Sequence, residues 1–165
     1  MTFETKVDFK DYVRLMFVLT YRRPGMIVAS ILGLLLFAFC ILYIIGIVQS
    51  VEFPWLPFIY SLIIVLGMPL FVYYSADKNY KTYARLQERI TYDISGDLIV
   101  MTGESFVTQM TWGKTYKVLE LKDWLLLYQN KFVANIIPKS LVGNQIHELR
   151  EIIKSQNVKQ RLKTS

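Results

Sequence analysis

The chain has 165 residues, of which 53% are hydrophobic and 19% charged, and its formal net charge is +6. This composition is unusually apolar for a soluble domain. The hydrophobic excess is concentrated between residues 26 and 74. The remaining chain is long enough for one small domain with its own core, which excludes a protein of several large soluble domains.

The N-terminal region, residues 1–25, combines a strand pattern with a helix pattern. Residues 3–7 alternate apolar and polar side chains, which predicts a short strand. Asp8 stands at an N-cap position, and apolar residues then recur at helical spacing from Phe9 to Tyr21. Two interpretations of this amphipathic helix stay open. Its apolar face lies at a bilayer surface, or it packs on the C-terminal domain or on a helical stalk.

Two long segments, residues 26–48 and 53–74, form the region 26–75 and contain no Asp, Glu, Lys, Arg or His. A helix needs about 20 apolar residues to cross a hydrocarbon layer of ~30 Å, so each segment predicts a transmembrane helix. The first segment is too long and starts too late for a cleaved signal peptide. Gly67 and Pro69 predict a bend in the second. The lack of ionisable residues argues against a pump or a transporter.

Basic residues flank both spans, whereas the loop between the spans has none. They are Lys6, Lys10, Arg14, Arg22 and Arg23 before the first span, and Lys78, Lys81, Arg85 and Arg89 after the second. Because basic flanks stay on the cytoplasmic side, we expect a multi-pass protein of the cell (inner) membrane with both termini in the cytoplasm.

Two sets of residues in and next to the spans are candidate contacts with lipid or with another helix. Residues 76–89 predict a helical stalk whose cations Lys78, Lys81, Arg85 and Arg89 face anionic headgroups, each gaining about 1 kcal/mol on close approach. Small residues recur every fourth position in the first span, at Gly25, Ala29 and Gly33. They predict a groove for the second helix or for another copy of the chain, with ordinary packing as the alternative.

Residues 90–165 predict a cytoplasmic domain of short strands closed by one helix. The strand candidates are residues 90–94, 98–102, 105–112, 116–121, 124–128 and 132–137. Turn residues separate these segments, which favours an antiparallel meander. The closing amphipathic helix is expected to begin near Asn144. A basic tail with Lys159, Arg161 and Lys163 is expected to fray into solvent.

Motifs for reaction chemistry are absent from the sequence. There is no Gly-rich phosphate loop and no nucleophile elbow. Cys40 is the only cysteine and lies within the first span, while His147 is the only histidine and lies in the closing helix. We therefore predict no catalytic, metal-binding or cofactor-binding residue, and no nucleic acid partner.

Several short motifs carry a resemblance to a known family. They are Trp112 at a strand end, the run Val118, Leu119 and Glu120 before Asp123, the strand from Leu125 to Tyr128, the run Ile136, Ile137, Pro138 and Lys139, and Leu149 with Arg150. With the preceding spans, these residues resemble the YcxB-like family of bacterial membrane proteins. The resemblance implies a small PH-like sheet closed by a helix, with no established enzymatic activity. Ser140 follows Lys139 where relatives tend to carry a second basic residue, which weakens a phosphate-binding role for this turn.

The sequence thus predicts an α+β membrane protein in which a transmembrane hairpin precedes a PH-like antiparallel sheet. The expected function is to tether an interaction module at the anionic inner leaflet. There it would bind a protein partner or lipid headgroups through the basic stalk, Lys139 or an open sheet edge. The alternative is a subunit or regulator of a larger membrane complex, or a homo-oligomer, assembled through the spans.

Overall fold

The computed structural model describes residues 1–48 and 52–162. The predicted tail residue Lys163 and residues 49–51 of the loop between the spans lie outside this part. Two compact units make up the chain. The sheet unit joins Met1–Asp8 to Tyr83–Ser165, and the helical unit is Phe9–Thr82. The helical unit is therefore an insertion in the chain of the sheet unit.

The described residues of the sheet unit form two four-stranded sheets. The first has the order β1-β2-β3-β4 and the second the order β7-β6-β5-β8. The strands are β1 (Thr2–Thr5), β2 (Ile90–Ile94), β3 (Leu98–Thr102), β4 (Val107–Thr111), β5 (Lys117–Glu120), β6 (Trp124–Tyr128), β7 (Ala134–Pro138) and β8 (Gln160–Arg161). All described pairings are antiparallel except that of β5 with β8.

Strand β1 is joined to the sheet across the whole helical insertion. It pairs with β2 in a register that places Thr5 opposite Ile90. The ring of Phe3 stacks on that of Tyr92 at 5.4 Å between centroids, and burial raises the pKa of the Tyr92 hydroxyl. The predicted inward face is confirmed, because Phe3, Thr5 and Val7 are buried. The region predicted as residues 1–25 thus divides after Asp8, since β1 finds its hydrogen-bonding partners in β2.

The predicted antiparallel pairing of consecutive strands is confirmed within each sheet, but the strands are divided between two sheets. The chain leaves the first sheet after β4 through a short turn, Trp112–Lys114, and starts the second sheet at β5. The buried Trp112 fixes this corner, because its indole N–H donates to the carbonyl of Ser95 at 2.9 Å. Burying the indole requires a partner for that N–H, and the β2–β3 turn supplies it.

The basic tail is part of the second sheet rather than frayed. Arg161 lies in β8, parallel to β5, and the backbone N–H of Val118 donates to the carbonyl of Lys159 at 2.9 Å. The expectation for Lys159 and Arg161 was therefore wrong, because β5 offers an open edge that the tail backbone can pair with.

One hydrophobic core lies between the sheets and the closing helix α6 (Ile146–Ser155). Leu149 and Ile153 of α6 are fully buried and belong to the same core as Leu125 and Leu127. Before α6 come the short helix α5 (Lys139–Val142) and a turn, Gly143–Gln145, so the helix starts one position later than an N-cap at Asn144 would place it.

The helical unit contains α1 (Phe9–Tyr21), α2 (Pro24–Ile44), α3 (Trp55–Leu62) and α4 (Met68–Thr82). The bounds of α1 are those predicted. A π-helical turn, Ile63–Gly67, joins α3 to α4 so that one helix runs from Trp55 to Thr82. By length and composition, Pro24–Ile44 and Trp55–Thr82 are the two described helices long and apolar enough to cross a membrane.

The apolar face of α1 packs along α4. Phe9 meets Tyr73 and Tyr80 with ring centroids 6.2 and 5.4 Å apart, and Tyr12 meets Tyr80 at 5.8 Å. Leu15 on the same face is fully buried. Of the two interpretations of this helix, packing on the helical stalk is the arrangement found.

The irregular turn in the second long helix coincides with the predicted bend. Proline has no backbone N–H and its ring clashes with the carbonyl four residues earlier in a regular helix. The wider π turn Ile63–Gly67 ends two residues before Pro69 and contains Val65, four residues before the proline, so it relieves this conflict.

The predicted helical stalk ends earlier than residue 89. Helix α4 ends at Thr82, and Tyr83 adopts an extended conformation with φ −96° and ψ 92°. A single short turn follows, Ala84–Leu86, and this segment belongs to the sheet unit.

Removing the Phe3 side chain tests the link between β1 and the sheet. We expect Phe3→Ala to lower the free energy of unfolding of the sheet unit by about 3 kcal/mol, because a buried aromatic ring is deleted. Urea unfolding of the full chain, followed by the fluorescence of Trp112 and Trp124 in a Trp55→Phe background, measures this effect. The matched control is Phe132→Ala, which deletes the same atoms at a 91% exposed position. Equal midpoints for both variants would contradict the expectation.

Candidate interaction surface

A buried ion cluster joins three separate parts of the sheet unit. The Glu120 side chain lies in β5, is fully buried, and faces the core beside Val118 and Leu125. Its Oε1 accepts a hydrogen bond from Nζ of Lys139 at 2.6 Å. Arg150 of α6 binds both carboxylate oxygens, through Nη2 at 2.6 Å and Nε at 3.1 Å. The hydrogen bond with Glu120 raises the pKa of Arg150.

Lys139 therefore has a structural contact where a headgroup contact was predicted. Its side chain is 18% exposed and its ammonium is already paired with a carboxylate. If Lys139 moved away from Glu120, the buried carboxylate would lose one of its positive partners, which is energetically costly. The structure thus provides a stabilising role for Lys139, and the sequence did not indicate its partner.

One predicted stalk cation, Arg85, contacts the β3–β4 turn. Its neighbour Glu88 contacts the same turn, so both residues hold the start of the sheet unit against it. The Arg85 guanidinium lies 4.6 Å above the ring centroid of Phe106. The Glu88 carboxylate accepts hydrogen bonds from the hydroxyl of Ser105 at 2.6 Å and from its backbone N–H at 3.0 Å. These hydrogen bonds lower the pKa of Glu88.

The other stalk cations have different surroundings. Arg89 lies 3.8 Å from the exposed Glu4 of β1, and Lys81 pairs with Asp77 at 2.8 Å one helical turn away. Lys78 is exposed on α4. Lys78 and Lys81 belong to the helical unit, whereas Arg85 and Arg89 belong to the sheet unit. The four cations are therefore divided between two units, and three of them have acidic or aromatic neighbours.

The small residues of the first span differ in their surroundings. A side chain added at Gly33 would place its Cβ 2.6 Å from Cγ2 and 2.8 Å from Cβ of Ile64 in the π turn. At Gly25 it would meet nothing within 4 Å, and Ala29 is half-buried. Gly33 thus serves close packing within the hairpin, one of the two roles predicted for it.

An exposed hairpin tip was missed by the sequence analysis, which placed Phe132 inside a strand. The strand β7 begins at Ala134, and the Asn130 side chain holds the turn before it. Its Oδ1 accepts hydrogen bonds from the backbone N–H groups of Phe132 at 2.8 Å and Val133 at 2.9 Å. Phe132 is 91% exposed as a result. An Asn at the start of such a turn is the sequence signal that could have located it.

The described residues contain no group of three or more His, Cys, Asp or Glu side chains arranged to hold a metal ion. The sites that stand out in the described part of the chain are therefore the ion cluster around Glu120 and the exposed tip at Phe132.

Comparison with known families gives a match within the sheet unit. Residues 94–153 match the model of the family described as YcxB-like protein. The chain contains a YcxB-like domain. The match runs from the last residue of β2 to Ile153 of α6 and includes all three members of the ion cluster. No curated protein and no solved structure matches the chain.

The ion cluster predicts that a single conservative substitution at Glu120 strongly destabilises the YcxB-like domain. Glu120→Gln keeps the shape of the side chain but leaves Lys139 and Arg150 without a carboxylate. We expect the free energy of unfolding to fall by about 3 kcal/mol in urea, because a buried ion pair loses one partner. The control Glu151→Gln removes an exposed pair with Lys154 and should cost less than about 0.5 kcal/mol. A loss no larger than that of the control would refute a stabilising role for the cluster.

The packing at Gly33 predicts that substituting this glycine destabilises the hairpin, whereas substituting Gly25 of the same helix does not. Cys40 lies two helical turns after Gly33 on the same face of α2 and is buried, so its reaction with a maleimide dye reports opening of the hairpin. We expect Gly33→Ala to lower the temperature at which Cys40 reacts, since overpacking costs about 1–3 kcal/mol. Gly25→Ala is the control and should leave that temperature unchanged. A shift of the same size in both variants would argue against the contact with Ile64.

Proposed function

We propose that the chain is a non-enzymatic membrane protein that tethers its YcxB-like domain to the cytoplasmic face of the bacterial inner membrane. In this proposal Pro24–Ile44 and Trp55–Thr82 cross the bilayer as a hairpin, and the domain binds a protein partner or anionic lipid headgroups. The non-enzymatic part rests on the absence of catalytic motifs from the sequence.

Exposure of the two long helices supports their insertion in a membrane. In the most apolar window of each helix only 11% of the residues are buried. The core helix of a soluble protein would be covered by its neighbours. Here, large apolar side chains such as Leu35, Leu66 and Leu70 are exposed around both helices. Such a surface is stable in hydrocarbon and is a liability in water.

The pairing of β1 with β2 is the observation that carries the proposal. These strands lie before and after the helical insertion in the chain, yet they form one ladder. A sheet cannot form across a bilayer, so both ends of the insertion must be on one side. The two proposed spans return the chain to the side on which it started, which satisfies this condition.

Charge supports the cytoplasmic side as the side that carries the domain. The segments next to the spans are rich in Lys and Arg, while residues 45–54 between the helices contain Glu52 and no basic residue. Translocating the domain would oppose the positive-inside preference.

The order of the elements supports a PH-like domain. A four-stranded antiparallel meander is followed by three more antiparallel strands and a helix. This is the composition expected from the family resemblance, with the first strand separated from the others by the hairpin. Fold alone does not assign a ligand, so the binding role rests on the surface of the domain.

Assembly into a larger complex through the spans has less support. The predicted groove included Gly33, which in this chain is covered by Ile64 of the second helix. What is left of the groove is the exposed Gly25 and the half-buried Ala29.

Cysteine labelling in intact cells tests the tether. In a Cys40→Ala background, we expect Glu52→Cys to react with a membrane-impermeant maleimide added outside. Asp97→Cys, in the exposed β2–β3 turn, should react only after the inner membrane is permeabilised. Labelling of both positions from outside, or of neither after permeabilisation, would overturn the proposed topology.

A further inference from the structure

One end of the second sheet brings together residues from three segments of the sheet unit. Lys117 at the start of β5 lies opposite Tyr128 at the end of β6, and Tyr128 lies opposite Ala134 at the start of β7. On the other side of β5, Val118 lies opposite Gln160 at the start of β8. Residues 113–117, 128–134 and 156–160 therefore share one end, which we call the lysine end.

The three segments of the lysine end are rich in lysine. Its cations are Lys114, Lys117, Lys131 and Lys159. The three segments contain no Asp or Glu. Lys117 lies 4.4 Å above the ring centroid of Tyr128, and the other three lysines are exposed. The end therefore presents a positive potential to its surroundings.

Apolar side chains project from the same end. Phe132 is 91% exposed, Val133 50% and Tyr116 43%. The two hydrogen bonds to Asn130 Oδ1 hold the tip in a defined turn, so the exposure of Phe132 follows from a structured backbone. The opposite end of β6 lacks this combination, because its turn contains Lys122 beside Asp123 and no exposed aromatic residue.

We propose that the lysine end docks on the surface of an anionic bilayer, with Phe132 in the interfacial layer and the lysines at lipid headgroups. This inference rests on the proposed function, since the tether keeps the domain near a membrane. Aromatic rings are favoured at the membrane–water boundary, and lysines next to an anionic leaflet are attracted to it.

The chemistry of the lysine end favours a lipid surface over a defined acidic ligand. All four cations are lysines, which act as flexible point charges, whereas precise bidentate recognition of a carboxylate or phosphate favours arginine. Lysine side chains reach past an inserted apolar residue and keep their ammonium groups at headgroup level. A projecting phenylalanine surrounded by lysines suits a fluid, charged surface.

Fluorescence from a probe at the tip tests this inference in the full chain. The protein carries Cys40→Ala and Phe132→Cys, is labelled with an environment-sensitive dye, and is placed in nanodiscs. We expect a blue shift in discs of phosphatidylcholine with phosphatidylglycerol, and none in discs of phosphatidylcholine alone. Added salt should reverse the shift, because screening weakens the attraction. The same dye at Asp97→Cys, in the β2–β3 turn, should report no shift.

A comparison of two lysine substitutions distinguishes docking by the lysine end from a general effect of positive charge. Lys131 and Lys122 are both exposed and lie in the turns at the two ends of β6. In anionic discs we expect Lys131→Gln to lower the ratio of docked to free domain about fivefold, and Lys122→Gln to leave it unchanged. Equal losses in the two variants would overturn the proposal.

A probe at residue 132 that fails to shift in anionic discs would also overturn it, as would a shift produced only by an added acidic protein. Either result, together with the expected labelling of Glu52→Cys and Asp97→Cys in cells, would leave the tether intact and remove only the docking of the lysine end.

Discussion

The structure depends on the pairing of β1 with β2 across an insertion of more than seventy residues. Four residues of β1 close the edge of the first sheet, and Phe3 contributes a ring to its core. The domain is thereby attached to the helical unit at two points rather than one. A fragment that starts at residue 91 would lack β1 and expose the Tyr92 ring, so it is a poor substitute for the complete sheet unit.

Glu120 has a comparable role in the second sheet, because it binds side chains from two distant positions in the sequence. Lys139 follows β7 and Arg150 lies in α6, yet both reach one carboxylate. The YcxB-like match contains all three residues. In the local sequence alone, Lys139 resembles a surface cation in a turn. Its partner is 19 residues away, and only the fold shows that the two side chains meet.

The features that could be predicted from the sequence are those determined by residues close together in the chain. The bounds of α1 were predicted because a cap and a 3.6-residue period lie within one stretch, and the irregular turn before Pro69 follows from the chemistry of a single residue. The division into two sheets and the addition of β8 depend on long-range pairing, which has no local signal. The start of β7 was placed too early because the Asn130 side chain takes over backbone N–H groups that a strand would have used.

The distribution of cations changes where an interaction surface is to be sought. Net charge suggested the stalk and Lys139, but Arg85, Arg89, Lys81 and Lys139 each lie beside an aromatic ring or a carboxylate of the same chain. A cation with an internal partner must give up that contact before it binds anything else, which weakens its attraction for a ligand. The lysine end has no carboxylate in its own segments and has an exposed aromatic tip. Lys117 there lies over the ring of Tyr128, so the exposed Lys114, Lys131 and Lys159 supply the charge that is available to a negatively charged surface.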